Sequence, residues 1–189
     1  LVDLDLSQNY IDDVGAASIA SNFPNLVSLN LGTNSVGDSG AIALASHEEL
    51  INLDLRQNQI AEKGFRALCD NKKIQTLCIY GNKISFSEAE QLPINNSITK
   101  LNLSYNKIHD KPEQPRQSIA LFPKLKELIL NENSISDEVA EQFFNDMTSR
   151  LDVIDLRSCT APMLFSYKRK KIESPTDDFS NSKIMKLSI

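Results

Sequence analysis

A nine-residue pattern that returns six times after its first appearance constrains this chain more than anything else in it. Leu1–Asn9 reads L-V-D-L-D-L-S-Q-N, and the pattern comes back at Leu26–Asn34, Leu50–Asn58, Ile74–Asn82, Ile98–Asn106, Leu125–Asn133 and Leu151–Cys159. The steps between copies are 25, 24, 24, 24, 27 and 26 residues. A fixed period of this length marks a stack of identical supersecondary units rather than an ordinary globular domain. No unit can bury its apolar edge alone, so the core exists only once neighbours stack.

Each copy carries its own physics. Leu at the fourth and sixth positions puts two side chains on one face of a short strand. Asn at the ninth position has an amide that can bond loop backbone of its own repeat and of the neighbouring one. A buried amide is costly unless paired in that way. Stacking therefore predicts an Asn ladder of Asn9, Asn34, Asn58, Asn82, Asn106 and Asn133, closed by Cys159. Between the strands, helical spacing takes over at 13–22, 37–46, 61–71, 85–92 and 136–147, with Ser136 and the acidic Asp137 and Glu138 as a helix start. Gly15, Gly40 and Gly64 share one phase, which predicts close helix–helix approach there.

Taken together, these copies match L-x-x-L-x-L-x-x-N/C-x-L, and over about residues 1–160 the chain resembles leucine-rich-repeat proteins. The nearest style is the ribonuclease-inhibitor-like subclass, although the repeats are short for it. The resemblance implies an α/β horseshoe solenoid, with parallel strands on the concave face and mostly helices on the convex face. The expected organisation is one repeat domain over 1–160 and a cap segment with a flexible basic tail over 161–189. Met163, Leu164 and Phe165 are expected to close the end of the stack, ahead of the basic run Lys168-Arg169-Lys170-Lys171. A chain that opens on the first Leu of a repeat, without Met, is expected to belong to a longer protein.

Alternation turns the non-Leu strand positions away from the core. The third, fifth, seventh and eighth positions of each copy are read as that outward row. Arg56, Tyr80 and Tyr105 fall in adjacent repeats, and Tyr and Arg are enriched where proteins bind proteins. The candidate protein-binding set is Asp54, Arg56, Cys78, Tyr80, Asn102, Tyr105, Ile129, Asn131 and Arg157. The two-proline loop His109–Arg116 is a second candidate for specificity, since loops on a rigid scaffold carry function.

Other classes are disfavoured. The net charge is −5, made of −8 over residues 1–160 (14 basic, 22 acidic) and +3 over 161–189 (6 basic, 3 acidic). An acidic body argues against a nucleic-acid binder. Cys69, Cys78 and Cys159 are widely spaced, and His47-Glu48-Glu49 lacks the H-E-x-x-H spacing, so no metal and no cofactor are expected. Nucleotide-binding loops and nucleophile elbows are absent, which points away from an enzyme. GTPase-activating proteins of the nuclear-transport GTPase share the repeat class, but no loop here matches theirs. No apolar run is long enough for a membrane span, and a monomer is expected. Asn95 and Asn102 head N-x-S sequons.

The 17 Asn residues and the short helix-bearing repeats resemble in style the effectors that intracellular bacteria such as Legionella secrete. That resemblance implies a module that seizes a host protein, folded in a cytoplasmic-type environment and delivered by a secretion system. The alternative is a eukaryotic intracellular recognition or adaptor protein.

Overall fold

A computed structural model of the protein describes residues 1–85, 93–109, 121–136, 139–140 and 151–156, and the backbone of 166–168. The centre of every nine-residue copy is a three-residue strand: β1 (Asp3–Asp5), β2 (Ser28–Asn30), β3 (Asn52–Asp54), β4 (Thr76–Cys78), β5 (Lys100–Asn102), β6 (Glu127–Ile129) and β7 (Val153–Asp155). They pair in chain order, all parallel, in an open sheet. The register repeats the sequence alignment position for position: Leu4, Leu29, Leu53, Leu77, Leu101, Leu128 and Ile154 face one another across the ladder. Parallel strands need a crossover, and here it is a helix: α1 (Asp13–Asn22), α2 (Asp38–Ala45) and α3 (Glu62–Asp70). The result is an α/β horseshoe solenoid with the sheet inside and the helices outside.

The core lies between sheet and helices. Position one (Leu26, Leu50, Ile74, Ile98, Leu125, Leu151) is fully buried, and positions four and six are buried from the second repeat onward. Ala16, Ala41, Leu44, Phe65 and Leu68 close it from the helix side. The helices touch where glycine allows it. A Cβ on Gly64 would stand 2.7 Å from Asp38 Oδ1, 2.9 Å from Ile60 Cγ2 and 3.0 Å from Ala41 Cβ, and Gly40 is in the same position against Asp13, Val36 and Ala16. Gly15 differs, because a Cβ there would meet only its own loop at Ile11 and Asp12.

Helix capping crosses from one repeat to the next. α1 is capped by its own Asp12, whose Oδ1 accepts from Gly15 N–H at 3.0 Å. α2 and α3 begin after Gly37 and Ala61, which offer no capping side chain. Asp13 Oδ1 instead accepts from Gly37 and Gly40 N–H (2.6 and 2.9 Å), and Asp38 Oδ1 accepts from Ala61 and Gly64 N–H (2.8 and 2.9 Å). One carboxylate thus sits in the first turn of its own helix, where the dipole favours it, and satisfies the orphan donors of the next. Farther along, Ala140 N–H donates to Ser136 O at 2.9 Å, and Ser136 Oγ accepts from Val139 N–H at 3.4 Å.

Two sequence expectations change. The eighth position is not a strand position. Gln8, Thr33, Gln57, Gly81, Tyr105 and Glu132 all have φ between 51° and 67°, in the left-handed region. The chain turns there out of the strand, and alternation of faces no longer applies. At the far edge, residues 166–168 form β8, antiparallel to β7 with Ile154 opposite Tyr167 and Val153 opposite Lys168. The first residue of the basic run is therefore strand, not tail. Cys159, Arg157, the segment 163–165 and the run 169–171 lie outside the described residues, as do most of the expected helices 85–92 and 136–147 and loop residues 110–116.

Candidate protein-binding face

The polar residues of the repeat divide into those the backbone uses and those it leaves on the concave face. The ninth-position amides belong to the backbone. Asn82 Nδ2 donates to Leu55 O, Ile79 O and Tyr80 O (2.9, 3.1 and 3.2 Å), and its Oδ1 accepts from Ile60 N–H at 2.9 Å. Asn34, Asn58, Asn106 and Asn133 repeat this with their own neighbours. Asn9, in the first repeat, is exposed and bonds only Leu6 O and Ser7 O of its own copy.

A second ladder runs at the other end of the strands. Asn95, fully buried, donates to Cys69 O and Asn71 O and accepts from Ser97 and Ile98 N–H. Asn71 does the same one repeat earlier, towards Ala45 O and His47 O. His47 takes the same place before it, with Nε2 2.9 Å from Phe23 O and Nδ1 accepting from Glu49 N–H at 3.2 Å. An imidazole with one donor and one acceptor stands in for the amide. The sequence held a signal for this, the 24-residue spacing of His47, Asn71 and Asn95, which the helical reading of 61–71 passed over. The Asn95 sequon is accordingly inside the protein.

What remains is the concave row. Fifth-position side chains brace the turn after each strand: Asp5, Asn30, Asp54 and Asn102 accept from the N–H two residues on. Asp5 also accepts from Ser7 Oγ at 2.7 Å and Asn30 Nδ2 at 2.9 Å, and these bonds, Ser7 first, hold its carboxyl below the ordinary range. Arg56 donates from Nε to Asp54 Oδ2 at 2.7 Å and forms a close ion pair with it. Asp54 thereby raises the guanidinium pKa further. The Arg56 stem lies over Gly32, where a Cβ would stand 2.8 Å from Arg56 Cγ. Cys78 is half-buried, and burial, with Asp54 next, pushes its thiol pKa up.

Tyr80 and Tyr105 come together as an aromatic pair, ring centroids 4.9 Å apart at 58°. Tyr105 reaches that place from the left-handed turn position, with φ 53°, and is half exposed. Asn131 Nδ2 donates to Asp155 Oδ2 at 3.2 Å, and Lys100 pairs with Glu127 at 2.9 Å. Ile129 is half-buried between Asn102 and Asp155 in the register. Of the candidate set, the structure joins Asp54 to Arg56 and Tyr80 to Tyr105. It places Cys78, Asn102, Ile129 and Asn131 on the same face, and Arg157 lies outside the described residues. Among the described residues no group of His, Cys, Asp or Glu is arranged to hold a metal, and no described helix is long and apolar enough to cross a membrane.

The family model "Leucine Rich repeat" matches residues 1–20, 24–45 and 95–111. Those three segments match leucine-rich repeats. Among solved structures, the repeat array is similar to an internalin (inlF) from Listeria monocytogenes, with 23% identity and a TM-score of 0.64 over 96% of this chain and 48% of that one. It is also similar to TLR13 in its complex with ssRNA13, with 24% identity and a TM-score of 0.57 over 80% of this chain and 21% of that one. The chain thus spans about half the length of the internalin structure it matches. No curated protein sequence matches it.

Proposed function

We propose that this leucine-rich-repeat chain is a recognition module that binds a protein partner through its concave face. The observation that carries this is the division of labour among the polar side chains. Both Asn ladders and the capping carboxylates are consumed by backbone, whereas Arg56, Tyr80, Tyr105 and their neighbours lie on the open sheet. A rigid sheet offering aromatic and guanidinium groups suits a protein surface. Six acidic and two basic side chains among the described third, fifth, seventh and eighth positions support a protein ligand over a nucleic acid.

Recognition without turnover, by a monomer, is part of the same reading. The free thiols of Cys69 and Cys78 support folding in a reducing, cytoplasmic-type compartment. The finer reading, an effector delivered into a host cell, rests on repeat style and Asn content. The test is cross-linking of the folded chain to proteins of a candidate host lysate, with Arg56→Glu and Tyr80→Ala on the concave side and Glu48→Lys as a control away from it. A product lost with the first two and kept with the third supports the face. A product indifferent to all three overturns it.

A further inference from the structure

The concave face holds two buried polar atoms that no described group satisfies. Ser104 is buried, and its Oγ finds no hydrogen-bond partner among the described residues; nor does Asn131 Oδ1. Nearly all buried polar groups in folded proteins are paired, so two orphans side by side call for an explanation. They are neighbours by construction. Ser104 and Asn131 hold the seventh position in consecutive repeats, and Tyr80 holds it in the repeat before. Tyr105, on the next residue of the Ser104 repeat, donates its N–H to Asn131 O at 2.8 Å and pairs its ring with Tyr80. One place therefore presents two aromatic rings and two unused oxygens.

Among the described residues, the charge around it has one sign to spare. Glu132, exposed, occupies the same turn position as Tyr105 in the adjacent repeat. Asp155 lies behind the Asn131 amide. The two described cations of the face are already engaged, Arg56 by Asp54 and Lys100 by Glu127. A ligand group that fits must be cationic, must stack on tyrosine, and must donate several hydrogen bonds in a plane. Guanidinium meets all three conditions; an ammonium stacks less well and donates from a point.

We propose that Tyr80, Ser104, Tyr105, Asn131 and Glu132 form an arginine-reading site, which takes an arginine side chain of an extended basic segment of the partner. This rests on the concave-face reading and names its ligand chemistry. The guanidinium stacks on the Tyr80–Tyr105 pair, donates to Asn131 Oδ1 and Ser104 Oγ, and faces the Glu132 carboxylate. Both orphan oxygens are shielded in the free chain, so side chains over them shift when the arginine enters.

The probe is a short peptide, Ac-Gly-Arg-Gly-Arg-Gly-NH2, titrated into the whole chain by calorimetry and by tyrosine ring-proton shifts. The chain has four Tyr and no Trp, so that spectrum is simple. The Arg peptide is expected to bind roughly tenfold tighter than its Lys twin, since stacking and planarity separate the two. Two ring systems shift on binding, and Tyr105→Leu removes both the selectivity and the shifts. Glu132→Gln, on an exposed residue that leaves the fold intact, weakens the Arg peptide by about threefold to tenfold. Asn131→Leu weakens it further, while Tyr80→Phe, which keeps the ring, retains the Arg preference.

Equal affinity for the Arg and Lys peptides would overturn the site and leave only diffuse charge attraction. So would ring shifts that persist unchanged in Tyr105→Leu. If the arginine site fails while Arg56→Glu still abolishes cross-linking, the recognition function stands with a different ligand chemistry. If neither perturbation matters, the concave face itself is the wrong surface.

Discussion

Replacing Asn95 by Asp changes one atom group at the centre of the second ladder and should cost about 4 kcal/mol at neutral pH. Asn95 is fully buried. Its Oδ1 accepts from Ser97 and Ile98 N–H (2.8 and 2.7 Å), bonds that a carboxylate can keep. Its Nδ2 donates to Cys69 O and Asn71 O at 2.9 and 2.8 Å, and those bonds are lost. Each buried carbonyl that loses its amide donor costs about 1–3 kcal/mol, so the pair gives about 2–6, with Asn71 O keeping only a long bond from Ser97 Oγ at 3.4 Å. A second oxygen now faces two carbonyl oxygens at hydrogen-bond distance, which pushes the total up within that range.

The substituted carboxyl responds by holding its proton. The Ser97 and Ile98 N–H and Ser97 Oγ donors favour the anion, but full burial and the two facing carbonyls oppose it and one restored O–H repairs one bond, so its folded pKa is expected above the roughly 3.9 of an unfolded Asp. The sign follows directly. For a group whose folded pKa is raised, the stability due to the protonated form is fully present below the unfolded value and is lost as pH rises through the folded value. The deficit of Asn95→Asp against the parent should therefore shrink to about 2 kcal/mol near pH 4 and widen towards pH 7. Urea unfolding of parent and variant at both pH values, followed by far-ultraviolet circular dichroism, measures it. Asn96→Asp, an exposed neighbour, should stay within about 0.5 kcal/mol of the parent. A variant within 1 kcal/mol of the parent at neutral pH, or one whose deficit ignores pH, would refute the claim that these amide donors hold the repeats together.

Other substitutions probe the remaining joints. Gly64→Ala should lower stability by about 1–3 kcal/mol despite alanine's better helix propensity, because its Cβ meets Asp38, Ile60 and Ala41 at 3.0 Å or less; a rise in denaturation midpoint would contradict the close approach. Asp13→Ala should cost about 1 kcal/mol and speed amide exchange at Gly37 and Gly40 in α2 rather than in α1, the signature of a cap donated across repeats. Iodoacetamide should label Cys78 before the fully buried Cys69. The Cys78 rate should rise only above the pH at which an ordinary thiol ionises, and Asp54→Asn should bring that pH down by removing a charge that opposes the thiolate.

The repeat period was readable because each strand must put the same residue types into the same stacked core. Leu4 through Ile154 stand in register for that reason, and α1 begins and ends where the small-residue spacing places it. The ninth-position amides were equally readable, since a buried Asn at a fixed place has to be paired. The candidate face was only half readable. Alternation assigns Arg56 and Tyr80 to the outward row, but it carried that row one residue too far and hid the left-handed turn that delivers Tyr105 to Tyr80. Alternation is a property of extended backbone and stops being informative where φ changes sign. The second ladder was missed for a related reason. His47 and Asn71 read locally as helix-end polar residues, and only stacking shows that they bond the repeat before.

Sequence by itself determined that this chain stacks repeats, how long each is, and which side chains are sealed in the core, because those follow from spacing and hydrophobicity within one copy. Tertiary structure decided everything that passes between copies. It made Asp13 and Asp38 cap the helix of the next repeat, paired the last described parallel strand with antiparallel β8, and brought the rings of Tyr80 and Tyr105 together. Contacts between residues some 24 positions apart depend on register and on the exact turn of the backbone, and neither is written in any single repeat.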